Sequence, residues 1–221
     1  MAFAPNLEPL PPPQRALWPE LVATPDSFTL YGGTGLALRL GHRASVDFDF
    51  FSNAPFDPDR LAAQIPYLKD AERLQVSPDT LTCRVDRGGP VLLSFFGGLG
   101  LGQVAAPETT NDTRLQVASL LDLAGTKAAV IQKRAEVKDY LDIAAILEHG
   151  IDLATILAAG GVVYGRQFNP LITLKALTFF DDVPALPMEK RALLDRAVKT
   201  VDVAKLPVLT PYTKRDNGMK P

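Results

Sequence analysis

Between residues 27 and 52 the order of apolar and polar positions is the clearest in the chain. Phe28, Thr29, Leu30 and Tyr31 favour a strand; Gly32-Gly33 break it, and Leu36, Ala37, Leu38 and Leu40 then suit a short helix. After Gly41 the chain turns through residues 42–45 into residues 46–51, Val-Asp-Phe-Asp-Phe-Phe, where apolar and acidic residues alternate as in a half-buried strand. A strand has a side-chain period of two, so Asp47 and Asp49 share one face while Val46, Phe48 and Phe50 face the core. The expected order is strand, glycine turn, helix, acidic strand.

The flanks extend this picture in both directions. Upstream, Pro11-Pro12-Pro13 reads as a stiff polyproline-type lead-in, and a short helix near residues 19–23 is expected to pack Trp18, Leu21 and Val22 on the core. Downstream, Asp57-Pro58-Asp59 starts a helix whose Leu61, Ala62, Ile65 and Leu68 fall at helical spacing, with Pro66 weakening its far end. Residues 73–76 and 81–85 read as strands, and the turn at 87–90 leads into a third strand at 91–96. Residues 97–102 form a glycine-rich stretch with no Walker lysine and no following helix, which reads as a mobile connection. A last strand is expected at 115–118, after which Ser119, with Asp122 three residues on, caps a helix through about Arg134. Further helices are expected at 137–147, 152–159, 167–179 and 188–199, with apolar stripes but no repeat period. The class is α+β: a mixed or antiparallel sheet with flanking helices up to residue 118, a helical part over 119–212, and a mobile tail over 213–221.

Composition narrows the function classes. With 221 residues, 47% hydrophobic and 22% charged, the chain is long enough for one substantial globular domain, or for one domain plus a helical appendage. A formal net charge of -2 argues against a broadly basic nucleic-acid binder and leaves room for a local basic groove. Cys83 is the only cysteine, which excludes an intrachain disulfide and a zinc cluster. His42 and His149 lie far apart in sequence and give no support to a histidine-rich metal site or a serine-protease arrangement. The N-terminal residues lack the basic start and apolar run of a secretory signal, and no stretch approaches membrane-spanning length, so a cytoplasmic protein without a membrane partner is expected.

The candidate chemistry lies in the acidic strand. Two same-face carboxylates repel each other, and a divalent cation with hard oxygen ligands relieves the repulsion best, Mg²⁺ being the usual one beside phosphates. Gly32-Gly33 lets backbone N–H groups approach a ligand, and the helix start at Thr34 offers unpaired N–H groups to an anion, so Gly33 and Thr34 are candidate contacts for the β- and γ-phosphates. An Asp-x-Asp on a strand edge is also what a solvated face looks like, and a lone Gly-Gly is also a plain turn. In the helical half, Lys127, Arg134 and Lys138 lie near whole-turn spacings and could neutralise a triphosphate, although a solvated face has the same appearance. Asp139 and Asp142 share a helix face, and Asp122 reads more strongly as a helix cap.

The run GGTGLALRLGHRASVDFDFF, together with residues 121–127 (LDLAGTK) and 134–143 (RAEVKDYLDI), resembles the AbiEii/AbiGii-type nucleotidyltransferase toxins of the DNA polymerase β-like superfamily. The resemblance covers roughly the middle two-thirds of the chain, in three motifs in the right order. It implies a Mg²⁺-dependent enzyme that transfers a nucleoside monophosphate from an NTP to an acceptor hydroxyl, with RNA as a candidate acceptor and a cognate antitoxin protein as a candidate partner. It implies catalytic roles for Asp47, Asp49, Asp139 and Lys138, with Asp47 and Asp49 as the metal ligands and Asp139 as a base or positioning group across a cleft from them. The nucleotide-binding candidates are Gly32, Gly33, Thr34, Arg39, Lys127 and Arg134, with Ser45, Ser94 and Asp142 as further candidates. One departure stands out: many superfamily members carry a third carboxylate on a later strand, whereas residues 91–96 offer no acid and place Ser94 in its stead. A noncatalytic nucleotide- or protein-binding module that keeps the fold is the alternative.

Overall fold

The computed structural model describes residues 2–213. The tail expected at 213–221 lies, from residue 214 on, outside the described residues. In chain order the elements are β1 (Ala2–Phe3), α1 (Pro12–Leu17), a 3₁₀ helix (Trp18–Ala23), β2 (Thr29–Leu30), α2 (Gly32–Leu40) and β3 (Asp47–Phe51). They continue with α3 (Pro58–Gln64), β4 (Glu72–Ser77), β5 (Thr80–Asp86), β6 (Pro90–Phe96), β7 (Glu108–Thr110) and β8 (Gln116–Val117). The helices α4 (Leu120–Val130), α5 (Val137–Glu148), α6 (Leu153–Tyr164), α7 (Pro170–Ala176) and α8 (Met188–Lys199) complete the described chain. Two compact units result: the residues up to Gly100 with Pro107–Leu123, and Leu101–Ala106 with the residues from Ala124 onward.

The first unit holds a mixed eight-stranded sheet in the order β1-β7-β8-β2-β3-β6-β5-β4. The acidic strand β3 lies inside it, antiparallel to β2 and parallel to β6. Phe48 and Phe50 of β3, Leu93 and Phe95 of β6, and Leu81 and Cys83 of β5 point to one side and join a core with Leu17, Trp18, Leu21, Leu61 and Ile65. Phe50 stacks on Phe95 at 4.9 Å between ring centroids, and Phe28 meets Phe95 edge-on at 5.3 Å. Each such buried aromatic removes a large apolar area from water, which is what commits β3 to a single register. Val46 departs from the expected alternation: the strand starts at Asp47 and Val46 is exposed.

The N-terminal lead-in also differs from expectation. Pro12 and Pro13 open α1, where the fixed φ and missing N–H of proline cost nothing, and the expected helix at 19–23 is a 3₁₀ continuation from Trp18 that buries Leu21 and leaves Val22 exposed. The Trp18 indole donates to Asp112 Oδ2 at 2.7 Å. Burial raises the Asp112 carboxyl, but the hydrogen bonds from Trp18 and from the Thr113 N–H outweigh it and hold the group below the usual aspartate range. A carboxyl depressed in the folded state adds stability that is present above its ordinary value, near 3.9, and is lost as pH falls through the lowered one. Trp18 is the only tryptophan, so its fluorescence is expected to change with a midpoint below pH ~3.9, and Asp112→Asn to abolish that step.

In the second unit α6 runs past Gly160-Gly161 to Tyr164, longer than the spacing of the sequence implies. The reason is packing: a Cβ on Gly125 would lie 2.7 Å from the Ala159 carbonyl carbon, and one on Gly160 would lie 2.6 Å from the Phe168 ring. Both glycines therefore serve close approach and not termination. Ser119 caps α4 as expected, accepting from the Asp122 N–H at 3.1 Å and donating to Asp122 Oδ2 at 2.6 Å. Among the described residues no single helix is long and apolar enough to cross a membrane.

Candidate active site

Asp47 and Asp49 emerge on the same, half-buried face of β3, opposite the aromatic core. The parallel register with β6 places Leu92 beside Asp47 and Ser94 beside Asp49, and Thr82 of β5 continues the row beyond Ser94. Ser94 is buried, and the Thr82 hydroxyl approaches it at 3.4 Å. The place where a third acid would face Asp49 is thus filled by a serine. Among the described residues no group of three His, Cys, Asp or Glu side chains could hold a metal ion.

The glycine turn closes on this pair. Tyr31 donates its N–H to the Asp49 carbonyl at 2.8 Å, which fixes the turn against β3. Gly32 has φ +68°, the left-handed region, and a Cβ there would sit 2.5 Å from Asp49 Oδ2. Both backbone and space therefore demand glycine. Gly33 has an ordinary φ, and its Cβ would meet the tip of Arg43, with Nη2 at 2.5 Å, and Ser45 Oγ at 3.1 Å. Gly32→Ala is accordingly expected to cost about 1–2 kcal/mol through the left-handed strain alone. Gly33→Ala, which presses on the flexible arginine end and on Ser45 Oγ but keeps an ordinary backbone, should cost less stability than Gly32→Ala while weakening nucleotide binding. Paired thermal melts and nucleotide titrations check both; equal losses of stability and affinity at Gly33 would mark a plain turn.

Other residues expected at this site have structural duties. The Thr34 hydroxyl is buried and donates to the Asp47 carbonyl, with Ser45 Oγ 2.8 Å away, so it ties α2 to the start of β3. Only the backbone N–H of Thr34 remains for an anion. Arg39 turns away from the expected nucleotide-binding role: Nη1 is 2.6 Å from Glu108, Nε and Nη2 reach the Ala118 carbonyl at 3.1 and 2.7 Å, and the guanidinium lies over the Phe3 ring. It clasps α2 to β7, β8 and β1. Arg43, which no periodic signal singles out, is the cation that the structure brings to the glycine turn.

The second unit gathers the charges of the later motifs by themselves. Lys127 of α4 is buried and reaches Asp139 Oδ1 at 3.0 Å and Asp142 Oδ2 at 2.6 Å, both on α5 and both fully buried. Arg134 adds Nε at 2.8 Å from Asp139 Oδ2 and Nη2 at 3.3 Å from Oδ1. Lys138 and Asp139, both expected at the site, point to different sides of α5. Lys138 is half-exposed and its Nζ sits 2.8 Å from Glu136. Adjacent helix residues diverge by roughly 100°, so the buried partner of Asp139 comes from another helix.

The mixed sheet with its Asp-x-Asp strand beside a glycine turn, and the helices that follow, define a nucleotidyltransferase-like α+β fold. The solved structure of MenT4, a nucleotidyltransferase toxin from Mycobacterium tuberculosis H37Rv, superposes on it with a TM-score of 0.59 over 86% of this chain and 83% of that one, at 16% identity. A protein from H. pylori described as a candidate nucleotidyltransferase does so with a TM-score of 0.53 over 84% and 90%, also at 16% identity. The family model of the nucleotidyl transferase AbiEii toxin, Type IV TA system, matches residues 15–206, and the chain belongs to that family. An uncharacterized protein of Aquifex aeolicus (strain VF5) is 35% identical over 160 residues, 71% of this chain and 75% of that protein.

Proposed function

We propose that the protein transfers a nucleoside monophosphate from an NTP to an acceptor hydroxyl, with RNA as the acceptor class and Mg²⁺ as the cofactor, in the cytoplasm and opposed by a cognate antitoxin. The observation that carries the reading is the Asp47/Asp49 pair on one strand face, closed by a glycine turn whose Gly32 has no room for a side chain against Asp49. Two carboxylates without a third acid fit one hard cation that draws its other ligands from substrate phosphates and water. Asp47 and Asp49 would hold the cation, which when bound supplies neutralisation of phosphate charge.

The chain's own residues account for the rest. The N–H groups of Gly33 and Thr34 orient the phosphates at the start of α2, and Arg43 adds a guanidinium there. The acceptor oxygen forms a bond to the α-phosphorus as the bond to the bridging oxygen of pyrophosphate breaks. The acceptor proton passes to a carboxylate of the pair or to solvent, and pyrophosphate leaves. The absence of an acid at Ser94 favours a second reading, a nucleotide-binding module without transfer activity. Calorimetric titration with each NTP, with and without Mg²⁺, tests the shared step: one nucleotide per chain, bound only with the metal, is expected. No binding, or binding indifferent to the metal, would overturn the proposal.

A further inference from the structure

We infer that Phe96, backed by Phe51, is the platform on which the base of the bound NTP stacks, an inference that rests on the nucleotidyltransferase reading and deepens its site. The two rings lie one step along adjacent strands from Asp49 and Ser94, on the same face of the sheet.

The shared face follows from strand period. In β3 Asp47, Asp49 and Phe51 are half-buried while Phe48 and Phe50 between them are fully buried, so Phe51 stands on the side of the acidic pair. In β6 Phe95 is fully buried and Phe96, two residues beyond Ser94, is half-buried. The aromatic core holds Phe48, Phe50 and Phe95 but neither Phe51 nor Phe96. The parallel register sets Phe96 beside Phe51, and the antiparallel register with β5 sets Thr80 beside Phe96.

The rings are arranged to receive a flat ligand. Tyr31 stacks on Phe51 with centroids 4.8 Å apart and planes inclined by 16°, which takes one face of Phe51. Phe96 meets Phe51 edge to face, at 5.7 Å and 84°. Such a contact covers at most one face of either ring, and Phe51 is the single aromatic partner of Phe96 among the described residues. Phe96 therefore keeps a face that no other ring covers, and a base can stack on it. Thr80 is half-buried on the next strand, and among the described residues its hydroxyl has no hydrogen-bond partner. That hydroxyl can donate to a base edge or accept from it.

The order of groups along β3 matches the order of groups in a nucleotide. Gly33 lies against Ser45, ahead of the strand, where the phosphates are placed; Asp47 and Asp49 follow, and Phe51 comes last. At about 3.3 Å per residue, Phe51 lies roughly 7 Å beyond Asp49, a distance that a ribose spans between its 5′-phosphate and its base. Phosphates, metal pair and base of one NTP thus fall in sequence along one strand, which commits the platform to the nucleotide and not to the acceptor.

The test uses the full chain and calorimetry with Mg²⁺ and, in turn, ATP, GTP, CTP, UTP and inorganic tripolyphosphate. Phe96→Leu keeps an apolar side chain and removes the ring. It is expected to weaken NTP binding about tenfold and to leave tripolyphosphate binding unchanged, while Phe96→Tyr stays near wild type. Thr80→Val should narrow the spread of affinities among the four NTPs. Wild-type NTP affinity in Phe96→Leu would overturn the inference, and so would an equal loss of tripolyphosphate affinity, which makes the ring part of the scaffold. Loss of affinity for a labelled single-stranded RNA with NTP affinity intact would also overturn it, assigning the ring to the acceptor. If Phe96→Leu does not fold, 2-aminopurine riboside triphosphate reports on wild type: stacking should quench its fluorescence, and unquenched binding would sink the inference. Wild type that binds NTP no more tightly than tripolyphosphate has no base subsite, although the nucleotidyltransferase reading survives; wild type that binds neither ends both.

Discussion

Replacing Lys127 by methionine is expected to cost the fold about 3–5 kcal/mol, the range for removing one partner of a buried ion pair. The Lys127 side chain is only 6% exposed, and it is the cation shared by two carboxylates with no exposure at all. Methionine fills the same space and leaves Asp139 and Asp142 without that counter-charge, although Arg134 still reaches Asp139. For a chain of this size the loss corresponds to a fall in melting temperature on the order of 10 °C. A second substitution that neutralises one acid, Lys127→Met with Asp142→Asn, should recover part of the loss, because the two residues interact directly. Denaturant unfolding of the three variants measures it. If Lys127→Met keeps full stability and loses only nucleotide affinity, the lysine is a phosphate ligand and this account of the cluster is wrong.

The opposite pattern is expected in the first unit. Asp47→Asn with Asp49→Asn should abolish metal-dependent nucleotide binding and lower transfer by at least about 10³-fold, equivalent to roughly 4 kcal/mol. The fold should be largely kept, because the pair lies on a half-buried face outside the aromatic core, where two like charges repel each other. Asp47 in particular has no side-chain partner among the described residues, so its removal strands no buried group. Thermal melts beside metal and nucleotide titrations separate the two effects. A double variant that loses activity and unfolds together would mark the pair as structural.

The contrast between the two clusters shows what the sequence made legible. The alternation from 46 to 51 and the Gly32-Gly33 break gave β3, α2 and the shared face of the two aspartates, because strand period and glycine freedom are local properties. The helix starts at Asp57 and Ser119 are legible for the same reason. The short strands β1 and β7, of two and three residues, carry too few positions for a period and were missed. The family resemblance implies Arg39 as a nucleotide ligand, yet its partners lie 69 and 79 residues away, which no local pattern reveals. Lys127 as the partner of Asp139 is not legible in the sequence, because it arrives from another helix twelve residues back. Arg43 stands alone in a turn, and only its approach to Gly33 reveals it.

The central claim is that the Asp47/Asp49 strand face performs nucleotidyl transfer. It is tested most directly by incubating wild type and the Asp47→Asn/Asp49→Asn variant with Mg²⁺, NTPs labelled at the α-phosphate, and total RNA, and following label into RNA. Label entering RNA with wild type, with release of pyrophosphate, and none with the folded variant, is the predicted result. Equal labelling by both proteins, or none by a wild-type protein that binds Mg²⁺ and NTP, would contradict it.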